Sequence, residues 1–451
     1  MTPPAADTAG YVEWLRGQGQ HDLAAELEAS AARNGDGKKV SGSSDFVARQ
    51  LARELATETP IAIGGGQLFV HHRGRYQPGA KQLRYRITEK LGNEWKLNKA
   101  KEILGYLQDG SPSLWLDPPT DRICFANGIL DLDTGRLGPH DPQFLSPISI
   151  PVDYEPAARC HAIDTFLTDV LDVELAPVVY ELLGYSLVPT QALQMAAMAV
   201  GGGANGKSTL LSVLTRVVGE DNVSSIALHK LEDDKFAPAG LYGKLLNVFG
   251  DLDARSLSAS SMFKSIVGGD KIDGERKYTD PFSFRPYARL VFSANEPPPT
   301  PDSSDAFFRR WLILPFERRF DGSKADRNLF AKLTTPTELS GFVNLGLEAL
   351  PDLMARGAFT KTKAGSAAAD RFRIDSDSVA GFSEDHCEVG NGRIERSVLF
   401  RRYVEWCNDN GRRPLGAPRF NRHLQTLHPA IDLKTIKGTR YWSGIALGGD
   451  A

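Results

Sequence analysis

Sulfur is scarce in this sequence: four cysteines, Cys124, Cys160, Cys387 and Cys407, lie scattered over 451 residues. No two are spaced as a zinc-ligating pair, and the pattern is not that of a disulfide-stapled secreted domain. They read as isolated buried thiols in a reducing cytoplasm. No run of about eighteen apolar residues occurs, so no transmembrane helix and no membrane partner are expected. The opening MTPPAADTAGYVEWLRG lacks a basic start followed by an apolar stretch, so no secretory leader is expected and the location expected is cytoplasmic. A large excess of either charge is missing too. The formal net charge is −3, which excludes a polycation and leaves any nucleic-acid contact to local basic patches. There is no internal repeat and no low-complexity block.

What is present is enough for several cores. The length suggests two to four domains, and 41% of the residues are hydrophobic. Residues 1–45 read as a helical N-terminus ending in the linker NGDGKKVSGSSD. Residues 46–160 read as an α+β accessory domain. In it, a helical pattern at 46–58 is followed by hairpin-like IAIGGGQLFVHHRGRYQP, a helical stretch over 80–108, and the apolar ICFANGILDLDT. Residues 161–357 open with a helical bridge over 161–187 and then alternate apolar runs with helices, as a parallel α/β sheet does. The segment 358–377 fits either a helix or a tether, and 378–451 forms a small C-terminal unit.

The strongest single signal is Gly201-Gly202-Gly203-Ala204-Asn205-Gly206-Lys207-Ser208-Thr209. It satisfies G-x-x-x-x-G-K-[ST] between an apolar run and a helical run, the context a phosphate-binding loop requires. Glycines let backbone N–H groups close around phosphate oxygens, and the following helix adds its positive dipole end. Lys207 is expected to reach the β- and γ-phosphates of ATP, and Ser208 to ligate Mg²⁺. A second apolar run, LLNVFG, ends in Asp251-Leu-Asp253. Asp251 is expected to help hold the metal and Asp253 to orient the attacking water. A third run, ARLVFSA, ends in Asn295, where a polar tip can meet the γ-phosphate or the water. Then comes Ala306-Phe-Phe-Arg309-Arg310-Trp311. The two arginines either lie along a solvated face or reach a neighbouring subunit's nucleotide; after an Asn-ended strand the second reading is favoured.

In this order, GGGANGKST, GDLD, VGGDKIDGERKY, ARLVFSANEPP and DAFFRRWLILPF resemble superfamily 3 helicases of the phage and plasmid primase–helicase family, related to the poxvirus primase–helicase. The resemblance implies a P-loop NTPase with an AAA+-like core. It implies a hexameric ring on single-stranded and duplex DNA, with ATP sites between subunits and Arg309/Arg310 supplied in trans. Asn295 matches the family's sensor asparagine. Lys264 and Gly268-Gly269-Asp270 match a motif leading into a hairpin that projects into the channel. Here the hairpin candidate is Ile272–Phe284, with Lys271, Arg276, Lys277 and Tyr278 as DNA contacts. Relatives often carry an N-terminal primase domain. Only about 120 residues precede the matching region, too few for one, so a separate primase or polymerase is an expected partner. Asp131-Leu-Asp133 is read as a structural turn, and His71-His72 is discounted as a nickase pair.

The last 61 residues carry eleven Lys or Arg against five Asp or Glu. Two helical runs followed by the hairpin-like KTIKGTRYWSGIAL read as a winged helix. Arg419, Arg422 and His423 fall on its recognition helix, and Lys437 and Arg440 on its wing. The function expected is an ATP-dependent replicative DNA helicase. The alternatives are an origin-binding initiator that uses ATP for assembly and melting, or the helicase half of a split primase–helicase.

Overall fold

The computed structural model describes residues 44–115, 117–252, 260–277, 280–298, 300, 302, 304–320, 326–410, 412 and 414–448. These fall into two compact units: residues up to Glu58 together with Lys81–Asp109, and Thr59–Ala80 together with Gly110 onward. The stretch expected as one α+β domain, 46–160, is thus divided between them.

The first unit is helical. Helices α1 (Ser44–Glu58), α2 (Ala80–Leu91) and α3 (Leu97–Gly110) carry its described residues. Leu83, Ile87 and Leu91 recur every fourth residue on α2 and are buried, as are Ala100, Ile103 and Leu107 on α3. Lys90 bonds the Glu58 carboxylate at 2.5 Å, and Arg86 pairs with the same group.

The second unit begins with two antiparallel three-stranded sheets. One is β1 (Ile61–Gly64), β2 (Gln67–His72) and β3 (Arg75–Pro78), and the other β4 (Arg122–Phe125), β5 (Gly128–Asp131) and β6 (Leu137–Gly138). At the end of β5, Asp131 accepts hydrogen bonds from the Thr134 N–H (2.8 Å) and hydroxyl (2.7 Å). Its carboxyl is held low by those bonds, as a structural turn requires. Helices α4 (His161–Val170) and α5 (Ala176–Leu187) lead into the central sheet.

That sheet has five strands: β7 (Ala196–Val200), β8 (Val223–Ser224), β9 (Leu246–Phe249), β12 (Arg289–Ala294) and β13 (Trp311–Pro315). All pairs are parallel, in the order β13-β7-β12-β9-β8. Both faces are covered, which explains the near-continuous apolar strands. One face receives α6 (Lys207–Val218), through Leu210, Leu214 and Val217, together with α4 and α5. The other receives an aromatic stack in which Phe263 and Trp311 lie parallel at 4.6 Å, with Phe307 and Phe372 edge-on to Trp311. Phe263 belongs to α8 (Ser261–Gly268), which follows the short α7 (Leu228–Asp233). After α8 comes the hairpin of β10 (Ile272–Gly274) and β11 (Phe282–Phe284).

Beyond the one-turn α9 (Asp305–Phe308) and α10 (Leu329–Leu333), the long α11 (Pro336–Arg356) clamps α4 and α5. A Cβ on Gly184 of α5 would lie 2.1 Å from the Gly346 carbonyl oxygen, so only glycine permits this approach. Glu338 accepts from the Ala162 and Ile163 N–H groups (3.1 and 3.0 Å) at the start of α4, where the helix dipole favours an anion.

The ambiguous segment after α11 is a helix, α12 (Lys363–Ser376), capped by the Thr362 hydroxyl. It leads through Asp377 into a small domain of α13 (Ser378–His386), β14 (Cys387–Glu395), α14 (Arg396–Asp409), α15 (Ala417–Leu427), β15 (Asp432–Ile436) and β16 (Thr439–Leu447). Its antiparallel sheet runs β14-β16-β15, and Phe382, Tyr403, Phe420 and Trp442 fill its core.

Candidate functional site

Parallel strands place the residues after β7, β9 and β12 at one edge of the sheet. There the glycine-rich loop 201–206, Asp251 and Asn295 come together as neighbours across β7, β12 and β9. The loop bends as its sequence demands: φ is positive at Gly201 (152°), Ala204 (55°) and Gly206 (91°). A Cβ at Gly201 would lie 2.2 Å from the Phe316 carbonyl oxygen, whereas Gly202 and Gly203 face open space. The loop is pinned from behind by the Asn205 side-chain amide on the Phe316 carbonyl (3.1 Å) and by the Phe320 N–H on the Ala204 carbonyl (2.6 Å).

Lys207 opens α6 and is only 6% exposed. Its ammonium donates to the Gly201 and Gly202 carbonyls (2.6 and 2.9 Å) and to Asn205 Oδ1 (3.0 Å). Burial lowers its pKa, while the charge of Asp251 opposes the shift. Among the described residues, this buried cation is held by neutral acceptors of its own loop and makes no ion pair, and polyphosphate oxygens are the kind of anion that would match it. Ser208 and Asp251 are both exposed beside it, and a hydroxyl with a carboxylate is the hard-oxygen donor set that suits Mg²⁺. The residues present therefore fit a nucleoside triphosphate with its metal. Asn295 is exposed at the tip of β12. Asp253 lies outside the described residues.

Arg309 and Arg310 sit at the opposite edge of the sheet. The Ala196 N–H at the start of β7 donates to the Arg310 carbonyl at 2.8 Å, while the glycine-rich loop follows Val200 at the other end. The strand between spans about 13 Å at ~3.3 Å per residue, so neither arginine serves the loop of its own chain. Their exposures differ. Arg309 is exposed, whereas half-buried Arg310 bonds back onto the Ala306 carbonyl, and burial followed by the Arg309 charge lowers its pKa.

Of the expected DNA contacts, Lys271 and Lys277 are exposed on the β10–β11 hairpin. Arg276 is not presented at a tip: it donates to the Gly65 carbonyl (2.9 Å) and lies over the Phe282 and Tyr242 rings at 4.5 and 5.6 Å. A guanidinium gains more from two aromatic faces and a carbonyl than from bulk water, which is why it folds back. Tyr278 lies outside the described residues. In the C-terminal domain, Arg419 and Arg422 on α15 and Lys437 and Arg440 about the β15–β16 turn are all exposed. His423 is not free for DNA, because its Nε2 pairs with Asp377 Oδ2 at 2.6 Å.

Two clusters escaped the motif reading. Arg289, fully buried at the start of β12, donates to Gln191 Oε1 (2.5 Å) and to the Tyr185 and Thr190 carbonyls (3.0 and 2.7 Å). Its guanidinium lies 3.3 Å from the Tyr185 ring centroid. Burial pulls its pKa down to about 10. Lys264, noted in sequence, is joined to Asp302 Oδ2 at 2.6 Å, with Ser260 and Ser304 on the same carboxylate. No local pattern in the Pro-rich segment marks Asp302 as that partner.

Comparison with known proteins agrees with this architecture. Residues 21–172 match a family model described as D5 N terminal like, and 374–439 one described as Poxvirus D5 protein-like. Residues 199–310 match a family of unknown function. A protein of Acanthamoeba polyphaga mimivirus described as "Putative helicase" is 25% identical over 248 residues, covering 52% of this chain. The chain spans only 26% of that relative's length. Among solved structures, an apo structure of the NrS-1 C terminal region (305–718) is similar with a TM-score of 0.52 at 12% identity, covering 88% of this chain and 99% of that one. A second apo form of that region gives a TM-score of 0.51, covering 90% and 100%. At such identity these structures speak to fold alone. Among the described residues no helix is long and apolar enough to cross a membrane. Taken together, the D5-type matches at both ends and the helicase relative support a relation to phage and viral primase–helicases.

Proposed function

We propose that the protein is an ATP-dependent DNA helicase of the superfamily 3 type, acting as a homo-oligomeric ring, with six subunits the number its family resemblance implies. The observation that carries this reading is the division of the sheet. Lys207, Ser208, Asp251 and Asn295 occupy one edge and Arg309 the other, about 13 Å of strand away. A complete site then needs two copies, one presenting the loop and the next presenting Arg309. Of the two arginines, the exposed Arg309 is the one free to reach across, and Arg310 braces the turn that carries it.

Bound ATP with Mg²⁺ supplies a cleavable phosphoanhydride. The loop N–H groups and Lys207 hold its phosphates, Ser208 and Asp251 hold the metal, and Asn295 positions the terminal phosphate or the water. Lys271 and Lys277 on the hairpin engage the phosphodiester backbone of the strand in the channel.

The helix and strand order and the β14-β16-β15 sheet of the C-terminal domain support reading it as a winged helix, whose exposed Arg419, Arg422, Lys437 and Arg440 would meet duplex DNA. That basic face favours origin recognition as a second role of the same molecule.

The test is an ATPase assay with and without single-stranded DNA, alongside strand displacement. Both activities are expected in the unaltered protein and neither in Lys207→Ala. Strand displacement that persists in that variant contradicts the proposal.

A further inference from the structure

The helical first unit carries a surface for which neither the central sheet nor the C-terminal domain accounts. Residues 81–101, from α2 through the connection into α3, hold seven Lys or Arg against two Glu, in a chain whose formal net charge is −3. Leu83, Ile87 and Leu91 form the buried stripe of α2. Lys81, Arg84 and Tyr85 fall at i, i+3 and i+4, share a second face of the helix, and are all exposed. Trp95 and Lys96 stand in the connection, and Leu97 and Lys101 follow one turn apart on α3; these four are exposed as well.

Two features set this surface apart from an ordinary solvated helix face. The first is that its outer cations are not consumed. Arg86 and Lys90 engage Glu58, and Lys99 engages Glu94, whereas among the described residues no ion pair involves Lys81, Arg84, Lys96 or Lys101. The second is that it leaves aromatic rings in water. Tyr85 is 64% and Trp95 45% exposed, and they are the only tyrosine and tryptophan among the exposed large hydrophobic side chains of the described residues. The Tyr85 hydroxyl donates to Glu89 Oε1 at 2.7 Å, which steadies the ring without covering its faces.

Open rings interleaved with unpaired cations match a phosphate chain that carries free bases. The rings accept base faces, and the ammonium and guanidinium groups meet phosphates. A duplex keeps its base faces stacked on one another, and an acidic polypeptide brings carboxylates but few flat rings. We infer that α2 and the start of α3 form a binding surface for single-stranded DNA, with Trp95 and Tyr85 as stacking platforms and Lys81, Arg84, Lys96 and Lys101 on the phosphates. This surface shares no residue with the β10–β11 hairpin and needs no nucleotide, so it can be tested apart from the helicase reading.

The test uses the full chain without nucleotide, in a background of Lys271→Ala with Lys277→Ala, which removes the exposed hairpin cations. Binding of a labelled oligothymidylate of about twenty nucleotides, long enough to cover a stacking groove, is followed by fluorescence anisotropy beside a duplex of equal length and labelled poly-glutamate. Trp95→Ala is expected to weaken oligothymidylate about tenfold, the scale of one lost stack. Trp95→Phe is expected to recover most of that loss, and duplex affinity is expected to change less than about twofold in either variant. Replacing Lys81 and Arg84 together by alanine is expected to lower the slope of log K against log salt for the single strand by about 1.4. Unchanged single-strand affinity in Trp95→Ala overturns the inference, and so does an equal loss on the duplex. An equal loss on poly-glutamate overturns it in favour of an acidic polypeptide. If the hairpin background alone abolishes single-strand binding, the helical surface is no site. If that background changes nothing while Trp95→Ala still costs tenfold, the hairpin contacts fail and the helical surface stands.

Discussion

The two edges of the central sheet are built on different principles. At the edge holding the glycine-rich loop, the polar groups are gathered but unfinished. The Lys207 ammonium rests on carbonyls of its own loop, and Ser208, Asp251 and Asn295 face solvent. At the other edge more of the polar groups are bonded within the chain, although among the described residues the Arg289 and Arg310 Nε atoms and the Trp311 indole N–H are buried without a partner. Arg289 is buried among two carbonyls, an amide oxygen and a tyrosine face, and Arg310 is folded onto Ala306. Arg309 alone of these three arginines is exposed. The more fully bonded edge carries the projecting Arg309, and on the proposed reading the other edge of a second copy receives it. On the proposed reading, the difference means that a single copy carries both halves of one site and can use neither half by itself.

That contrast can be broken most forcefully at Arg309. In pure assemblies, Arg309→Ala is expected to lower kcat for ATP by about a thousandfold, the scale of a trans-acting arginine, with nucleotide binding by calorimetry little changed. Arg310→Ala, by contrast, is expected to act chiefly on the stability of the turn. Equal kinetic losses in the two variants would erase the distinction between them.

Arg289 sharpens the comparison from the structural side. Arg289→Met leaves the Tyr185 and Thr190 carbonyls without their donor in the interior and is expected to cost about 3 kcal/mol in denaturant unfolding. A loss under 1 kcal/mol would mean that this edge is less finished than its hydrogen bonds suggest.

A smaller effect belongs to Asp302. Burial pushes its carboxyl up, but hydrogen bonds from Lys264, Ser260 and Ser304 outweigh this and bring it down to about 2. A carboxyl depressed on folding stabilises the native state above its unfolded pKa, near 4, and that contribution is lost as pH falls toward 2. After discounting for solvent screening, the amount is on the order of 1 kcal/mol. Acid titration of stability should therefore be shallower between pH 4 and 2 in Asp302→Asn than in the unaltered protein.

The smallest effect concerns the basic C-terminal face. Replacing Arg422 or Lys437 singly by alanine should reduce the slope of log K against log salt for duplex DNA by about one. An unchanged slope would remove that residue from the phosphate contacts.

Much of the loop-bearing edge was legible in the sequence because it is local. Gly201 to Thr209 is one contiguous string, and Asp251 and Asn295 each announce themselves by ending an apolar run. Strand order and direction then bring them together without further information. The more fully bonded edge was less legible because its partners are remote. Arg289 answers to Tyr185, Thr190 and Gln191, and Asp302 to Lys264, separations that no spacing rule covers. The same holds for Arg276 and His423, read as DNA contacts from their places on the expected channel hairpin and recognition helix. The Gly65 carbonyl and the Asp377 carboxylate that occupy them lie far away in sequence. Helix α12 sat between two readings because small and charged residues dominate it.

The most direct test of a site shared between copies is complementation. Lys207→Ala protein and Arg309→Ala protein, each inactive alone, are mixed in varied ratios and assayed for ATP hydrolysis. In mixed assemblies some boundaries pair an intact loop with an intact arginine, and activity is predicted to rise and peak near equal proportions. Activity that stays at the level of the separate variants at every ratio, while the two are shown to co-assemble, would contradict the account.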